Sequence, residues 1–219
     1  MSKIIAVYKP KGPTSNDVIQ IIKKITSADR VGHAGTLDPL ASGVLVIGIG
    51  REATKQLAEI VKKEKEYIAT VKLGETSETD DEEGAKTIQQ HQVLLNQHLV
   101  LLVLPKFIGK IMQTPPIYSA IKINGREAYK YARKGRTVEM KSREVEIKSI
   151  DIIDYKWPFL KLKVLTGPGV YVRSLARDIG HELGTGGYLA DLERTRVGQF
   201  TKDKAIKLEN ISNTLFSSS

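Results

Sequence analysis

The 219-residue chain carries 34 Lys and Arg against 25 Asp and Glu, a formal charge of +9, and is long enough for one large domain or two small ones. It has no cysteine, which excludes a disulfide framework, thiolate zinc sites, a cysteine nucleophile and a zinc nucleobase deaminase. The basic balance favours a polyanionic partner, with nucleic acid ahead of an acidic membrane surface.

Hydrophobic periodicity predicts strands interleaved irregularly with helices. In the N-terminal half we predict strand 3–8, a helix capped by Ser15 or Asn16, a Gly- and Pro-rich loop 27–43, strand 44–49, helix 52–62, strand 67–73 and a solvated acidic loop 78–84. Further along the chain we predict a helix over most of 91–112, strand 117–123, helix 126–134, strands 142–155 and 159–166, a helix beginning near Val172, and a final strand pair or an extended segment over 188–200. This order argues for an α+β fold with a mixed sheet covered by helices.

Neither the most apolar segment nor the N-terminal segment of the chain points to a membrane. The longest fully apolar run, residues 99–104, is far too short to span a bilayer. Residues 4–7 are too few for the apolar core of a signal peptide. We therefore expect a cytoplasmic location and no membrane partner.

The most unusual segment is the loop at residues 32–43, which contains three glycines and one proline around Asp38. Special dihedrals at these residues fix the backbone, so that one side chain can point in a defined direction. A loop aspartate can equally cap a turn by accepting from its own backbone. Taken alone, the segment favours that structural role for Asp38.

A second glycine turn, residues 167–169, connects a strand to the first turn of a helix, where free N–H groups suit a phosphate or carboxylate. Arg173 lies in that first turn, where a cation opposes the helix dipole. Either it has an anionic partner, an Asp or a nucleic-acid phosphate, or it is an ordinary surface arginine.

Positive charge is concentrated in a basic segment, residues 122–148, where nine Lys and Arg outnumber four Glu. A basic helix face with interleaved aromatics is typical of binding to a nucleic-acid backbone with base stacking. A solvated helix decorated with charge is the alternative, but the segment supplies over half of the net charge, which favours binding. The residues concerned are Lys122, Arg126, Tyr129, Lys130, Tyr131, Arg133 and Lys134.

Two other kinds of site are disfavoured. Residues 48–53 fit the G-x-G-x-x-A dinucleotide fingerprint, but the βαβ alternation that it requires is not sustained. The four histidines, His33, His91, His98 and His181, show no metal-ligand spacing. We expect neither a metal nor a cofactor.

These segments, in this order, resemble the TruB-type tRNA pseudouridine synthases over residues 3–200. The resemblance rests on YKPKG at 8–12, the loop at 32–43, KEY at 65–67, QTPPIYSA at 113–120, YVRSLARD at 171–178 and LERTR at 192–196. It implies the pseudouridine-synthase fold, a mixed and largely antiparallel sheet flanked by helices, with an inserted RNA-clamping element within about residues 105–150.

The resemblance also implies an isomerase that converts uridine 55 in the T loop of tRNA to pseudouridine. Asp38 matches the catalytic aspartate, and Arg173 the arginine paired with it. The residues expected to bind the target nucleotide are His33, Tyr67, Tyr171, Arg173 and Leu192. Those expected on the RNA backbone are Lys9, Lys122, Arg126, Lys130 and Arg133.

The implied chemistry agrees with the composition, because isomerisation needs no metal, thiol or redox cofactor. The uracil must leave its stack, at a cost of roughly a few kcal/mol, and aromatic and apolar walls must receive it. Asp38 then either attacks as a nucleophile or removes a proton from the sugar, and both routes stay open. The freed base rotates and rejoins through carbon 5, and Tyr67 could assist the last proton removal.

The chain departs from the family pattern in two ways. Most members carry a C-terminal RNA-binding extension, often a PUA domain, whereas we expect a single catalytic domain over 1–219 without one. Glu193 stands where an arginine is common. The resemblance favours a monomeric enzyme that acts on the tRNA T arm without an obligate protein partner; a guide-RNA-directed, dyskerin-like synthase and a non-catalytic tRNA-binding chaperone are the alternatives.

Overall fold

The computed structural model describes residues 2–89, 95–123, 125–136 and 138–216. The chain forms two compact units, the first drawn from residues 1–68, 165–168 and 192–219 and the second from 69–164 and 169–191. Within the described ranges, no helix has the length and apolar character needed to cross a membrane.

Long strands and short helices alternate along the chain, as predicted for an α+β protein. The strands are β1 (Lys3–Lys9), β2 (Val31–His33), β3 (Ser42–Ile49), β4 (Lys65–Leu73), β5 (Glu75–Ser77), β6 (Lys86–Ile88), β7 (Gly109–Gln113), β8 (Lys122–Ile123), β9 (Arg126–Glu127), β10 (Arg143–Lys156), β11 (Phe159–Thr166), β12 (Gly187–Val197), β13 (Phe200–Thr201) and β14 (Ile206–Lys207). The helices are α1 (Ser15–Thr26), α2 (Arg51–Val61), α3 (Gln97–Val103), α4 (Ala128–Ala132), α5 (Val172–Glu182) and α6 (Ile211–Phe216).

In the first unit the strands follow the order β14-β1-β3-β12. β1 and β3 are antiparallel, with Val7 opposite Leu45, whereas β14 is parallel to β1 and β12 is parallel to β3. All eight residues of β3 are buried. A continuous apolar run without alternation is what a strand covered on both faces requires.

In the second unit β11, β10 and β7 are successive neighbours. β10 is antiparallel to β7, with Val145 opposite Ile111, and its N-terminal half alternates between exposed and buried residues. Two short antiparallel pairs, β5-β6 and β8-β9, also belong to this unit. Helix α5 buries the apolar stripe that the sequence predicts, including Leu175 and Ile179.

The N-terminus of α1 differs from the prediction by one residue or two. Thr14 is the cap: its hydroxyl accepts from the backbone N–H of Asp17 at 3.1 Å, and the Asp17 carboxylate accepts from the N–H of Thr14 at 2.8 Å. Ser15 is buried and bonds elsewhere, donating to the carbonyl of Leu37 at 2.9 Å and accepting from its N–H at 2.8 Å. The predicted capping residue therefore binds the loop that carries Asp38.

The predicted helix at 91–112 is wrong beyond residue 103, and residues 91–94 lie outside the described ranges. A 3-10 turn at Leu104–Phe107 and strand β7 follow α3. Pro105 cannot donate to a helical ladder, and Gly109 takes a φ of +96° that ends the turn. Both residues break the periodic pattern.

The predicted strand at 117–123 shortens to Lys122–Ile123. The carbonyls of Ser119 and Ile121 accept from the N–H groups of Tyr129 and Ala128, so this backbone bonds to the start of α4 instead of a sheet. The predicted helix at 126–134 accordingly shortens to Ala128–Ala132, because Arg126 and Glu127 belong to β9.

Gly43 permits the close pairing of β3 with β12. Its φ is +112°, and a Cβ built there would lie 2.2 Å from the backbone oxygen of Arg194. Gly12 has a similar φ of +103°, with nothing within 4 Å of the same position. Alanine at Gly12 would add backbone strain alone, whereas alanine at Gly43 would add the same strain and a steric clash with β12.

We expect Gly43→Ala to lower the free energy of unfolding by at least about 4 kcal/mol, because the clash forces strands apart. Gly12→Ala should cost only about 1–2 kcal/mol, the strain of an alanine at positive φ. Urea unfolding followed by circular dichroism measures both. Equal losses would show that β12 does not approach Gly43 closely.

Candidate active site

Asp38 lies in a loop between β2 and β3 whose backbone is bonded on both sides. The Gly12 N–H donates to the carbonyl of Pro39 at 2.8 Å, and the Ala41 N–H donates to that of Asp38 at 3.1 Å. Before Asp38, the hydroxyl of Ser15 holds both backbone groups of Leu37. The half-buried carboxylate therefore projects from a fixed backbone.

A buried arginine contacts the same loop. Arg194 on β12 is only 1% exposed. Its guanidinium donates to the carbonyls of Val44 at 2.8 Å, Gly35 at 3.0 Å and, more distantly, Thr36 at 3.5 Å. Burial lowers the pKa of Arg194, and the neighbouring Tyr67 and Asp38 oppose that shift. Arg194 thus interacts with the loop backbone, with Tyr67 and with Asp38.

Three of the predicted nucleotide-binding residues lie in the first unit with Asp38. Tyr67 on β4 and Leu192 on β12 are each 6% exposed. The pKa of His33 is lowered, first by burial and then by the charge of Arg194, with a backbone hydrogen bond at Gly35 acting in the opposite direction. The imidazole of His33 is therefore biased towards its neutral form.

Two lysines of this unit are withdrawn from solvent. Lys9 is fully buried, and its ammonium donates to the carbonyls of Pro10 at 2.9 Å and Pro13 at 2.8 Å. Burial lowers its pKa to about 8, against the opposing charge of Asp38. We expected Lys9 on the RNA backbone; its ammonium instead stabilises the turn before α1. Burial likewise lowers the pKa of Lys65 to about 8.

In the second unit, Arg173 on α5 binds the acidic loop at 78–84. One Nη atom lies 3.4 Å from the Asp81 carboxylate and donates to the carbonyl of Thr79 at 3.2 Å, while the other donates to that of Tyr118 at 2.8 Å. Asp81 is 3% exposed. The prediction that this loop is solvated is therefore wrong at Asp81, because a buried guanidinium draws the carboxylate inward.

Arg177, one turn further along α5, bonds the same two loops. It lies 2.7 Å from Asp80 and 2.9 Å from Asp178, and it donates to the carbonyl of Thr114 at 2.9 Å. Burial raises the pKa of both Asp80 and Asp178, with Arg177 opposing the shift. Two adjacent turns of α5 thereby fix the acidic loop and the Pro-rich loop at 114–118.

Tyr171 precedes α5 and is bound through its backbone. The side-chain amide of Gln113 accepts from the Tyr171 N–H at 2.9 Å and donates to its carbonyl at 3.2 Å, as a neighbouring strand would. The guanidinium of Arg143 lies 5.3 Å from the centroid of the Tyr171 ring and donates to the carbonyl of Gly169. The half-buried ring is thus set by two side chains.

The basic segment presents its cations at the surface next to aromatic rings. Lys130 and Arg133 lie 5.9 Å and 5.4 Å from the centroid of the Tyr129 ring, and Arg126 lies 5.9 Å from that of Tyr131. Arg126, Lys130 and Arg133 are exposed, as is Lys122. Exposed cations beside rings suit both phosphate contacts and base stacking.

Comparison with known proteins decides the family. The model of the TruB family pseudouridylate synthase N-terminal domain matches residues 23–172, and that of the tRNA pseudouridylate synthase B C-terminal domain matches residues 173–218. The chain belongs to the TruB family of pseudouridylate synthases. A tRNA pseudouridine synthase B from Francisella tularensis subsp. tularensis is 42% identical over 99% of this TruB-family chain and 72% of its own length. One from Clostridium tetani is 43% identical over 97% and 73%.

Solved structures confirm the predicted pseudouridine-synthase fold. A Cbf5-Nop10-Gar1 complex contains a chain that superposes with a TM-score of 0.76 at 29% identity, covering 97% of this chain and 54% of that one. An H/ACA RNP bound to a substrate RNA containing 2'-deoxyuridine gives a TM-score of 0.73 at 27% identity. The TruB-family chain therefore spans about half the length of these solved chains.

Sequence reasoning missed one arginine that bonds the Asp38 loop in the first unit, and two residues that bond Tyr171 and Arg173 in the second. Arg194 stands two residues after Leu192 on a strand, and that period-two spacing places both on one face; the spacing was the available signal. Gln113 lies within a motif but gave no sign of binding the backbone of Tyr171. Asp81 carried no local signal, since nothing in an acidic run shows which carboxylate a distant arginine will bury. No cluster of His, Cys, Asp and Glu among the described residues could hold a metal ion.

We expect Asp81→Asn to lower the free energy of unfolding by about 2–3 kcal/mol, because it removes a buried charge beside the guanidinium of Arg173. Glu78→Gln, on an exposed residue of the same loop, should change it little. Urea unfolding of both variants makes the comparison. If they match, the Asp81–Arg173 contact contributes nothing to stability.

Proposed function

We propose that this TruB-family chain is a stand-alone tRNA pseudouridine synthase that converts uridine 55 of the T loop to pseudouridine. One observation carries the proposal: Asp38, the carboxylate of the family motif, projects from a loop whose backbone is bonded on both sides. The support from relatives is the match to proteins named tRNA pseudouridine synthase B over nearly all of the chain. The proposal includes a monomeric, cytoplasmic enzyme with the tRNA T arm as its partner.

Asp38 is the proposed catalytic residue. Its carboxylate acts on the ribose of the flipped nucleotide, either by attack at C1′ or by removal of a sugar proton. Both routes require a carboxylate held in one position while the glycosidic bond breaks, which the bonded loop supplies. The uracil then rotates and forms the new bond through carbon 5, so no atom is gained or lost overall.

The proposed substrate contacts divide by chemistry. Tyr67 and Leu192 offer aromatic and apolar surface to the extruded uracil. A neutral His33 can occupy the place that the base leaves without adding charge to the RNA stack. Tyr171 and Arg173 are the other two residues of the proposed set of nucleotide contacts. The expected contacts to the RNA backbone lie in the basic segment, at Lys122, Arg126, Lys130 and Arg133.

An unmodified tRNA transcript tests the proposal directly. The purified chain should form pseudouridine at the T-loop uridine without added protein or guide RNA, as mapped by chemical derivatisation and primer extension. Product that requires a guide RNA would instead support the alternative suggested by likeness to the Cbf5 chains. Binding without product would support a non-catalytic RNA-binding protein.

Asp38→Asn should abolish turnover and leave tRNA affinity nearly unchanged, because the amide keeps the shape of the carboxylate but neither attacks nor accepts a proton. The matched control is Asp29→Asn, an exposed aspartate of the same unit, which should retain full activity. Single-turnover rates and filter-binding affinities separate the two effects. Surviving activity in Asp38→Asn would overturn the catalytic assignment.

Alanine at Lys122, Arg126, Lys130 and Arg133 should weaken tRNA binding and flatten its salt dependence. Each lost phosphate contact should lower the slope of log affinity against log salt by about one unit. Lys55→Ala and Lys62→Ala remove two positive charges from exposed ion pairs on and just after α2 and form the control, compared per charge removed. Equal slopes in both sets would mean that the basic segment does not contact phosphates.

A further inference from the structure

Arg194 is buried, although an arginine side chain is usually exposed to water. It is 1% exposed and lies on β12, parallel to β3, with its backbone opposite Gly43. The missing side chain at Gly43 is what lets the two strands approach, since a Cβ there would lie 2.2 Å from the Arg194 carbonyl oxygen. A buried cation of this kind is costly unless every donor finds a partner.

Its donors are satisfied on both sides of Asp38. Nη2 donates to Gly35 and Nη1 reaches Thr36, both before the aspartate, while Nε donates to Val44 after it. The planar guanidinium fork fixes the angles between these bonds, which a lysine ammonium cannot do. The loop and the start of β3 are therefore bonded to one rigid group.

Tyr67 on β4 is also near enough to this guanidinium to oppose the lowering of its pKa. We propose that Arg194 is a positioning residue of the reaction, which holds the backbone around Asp38 in one fixed geometry through its bonds to the carbonyls of Gly35, Thr36 and Val44. This inference rests on the proposed function for its catalytic consequence and on the contacts above for its geometry.

Arg194→Lys is the test variant, and Arg196→Lys is its control. Arg196 lies two residues along β12, with an ion pair to Glu64 at 3.1 Å and a bond to the carbonyl of Gly198. Arg194→Lys should lower kcat on the order of 100-fold with KM little changed, since a shift of about 1 Å in a reacting group suffices for that loss. Arg196→Lys should leave both constants near those of the wild type.

The backbone amide 15N resonances of Thr36 and Leu37 give a readout that does not depend on activity. They should shift in Arg194→Lys, where the carbonyls of Gly35 and Thr36 lose their guanidinium donor, and stay in place in Arg196→Lys. An unchanged kcat, a rise in KM alone, or unmoved Thr36 and Leu37 resonances would each overturn the proposal.

Folding of the variant is checked by circular dichroism. If Arg194→Lys does not fold, hydrogen exchange at the Arg194 guanidinium of the wild type replaces it, and these protons should exchange slowly because they are buried and bonded to carbonyls; rapid exchange overturns the contact. A wild-type chain inactive on tRNA would defeat the proposed function, while the resonances would still decide the geometry of Arg194.

Discussion

A guanidinium withdrawn from water must find its hydrogen bonds inside the protein, and at Arg194 this requirement organises the first unit. The backbone that satisfies it is the loop carrying Asp38 and the start of β3. Gly43 has no side chain, and this allows β12, which carries Arg194, to pair closely with β3. Burial lowers the pKa of Lys9 and of Lys65, and the charge of Arg194 lowers each in the same direction.

The second unit solves a similar problem with two arginines. Arg173 and Arg177 stand on successive turns of α5, and the partners that they require lie on loops distant in sequence. A loop bonded to one buried and one half-buried arginine has few alternative conformations, because leaving a charge unpaired costs more than the loop gains in freedom. In both units, then, arginines on regular elements restrict the geometry of loops that are distant in the sequence.

Hydrophobic periodicity and turn residues predicted those elements whose structure depends on residues close together in the sequence. The alternation of β10 and β11, the apolar run of β3 and the stripe of α5 are sequence properties, and the Asp38 loop is recognisable from its glycines and proline. The failures involve partners far along the chain. Ser15 has the chemistry of a cap but bonds Leu37, and Asp81 has the chemistry of a solvated residue but meets Arg173. The helix predicted over 91–112 is wrong for a local reason. The six apolar residues at 99–104 favour a helix, and the prediction gave them more weight than the helix-breaking residues Pro105 and Gly109.

The distance along the chain between Arg194 and its acceptors has a consequence for biosynthesis. The loop that carries Asp38 is complete once residue 43 has been made, and its local bonds to Gly12 and Ser15 are available from then on. Its bonds to Arg194 come from a residue 150 to 159 positions later than their acceptors. Such long-range pairing forms late, because closing a long loop costs entropy before the contact is gained. A growing chain on the ribosome therefore carries the Asp38 loop with its local bonds alone until residue 194 has been made.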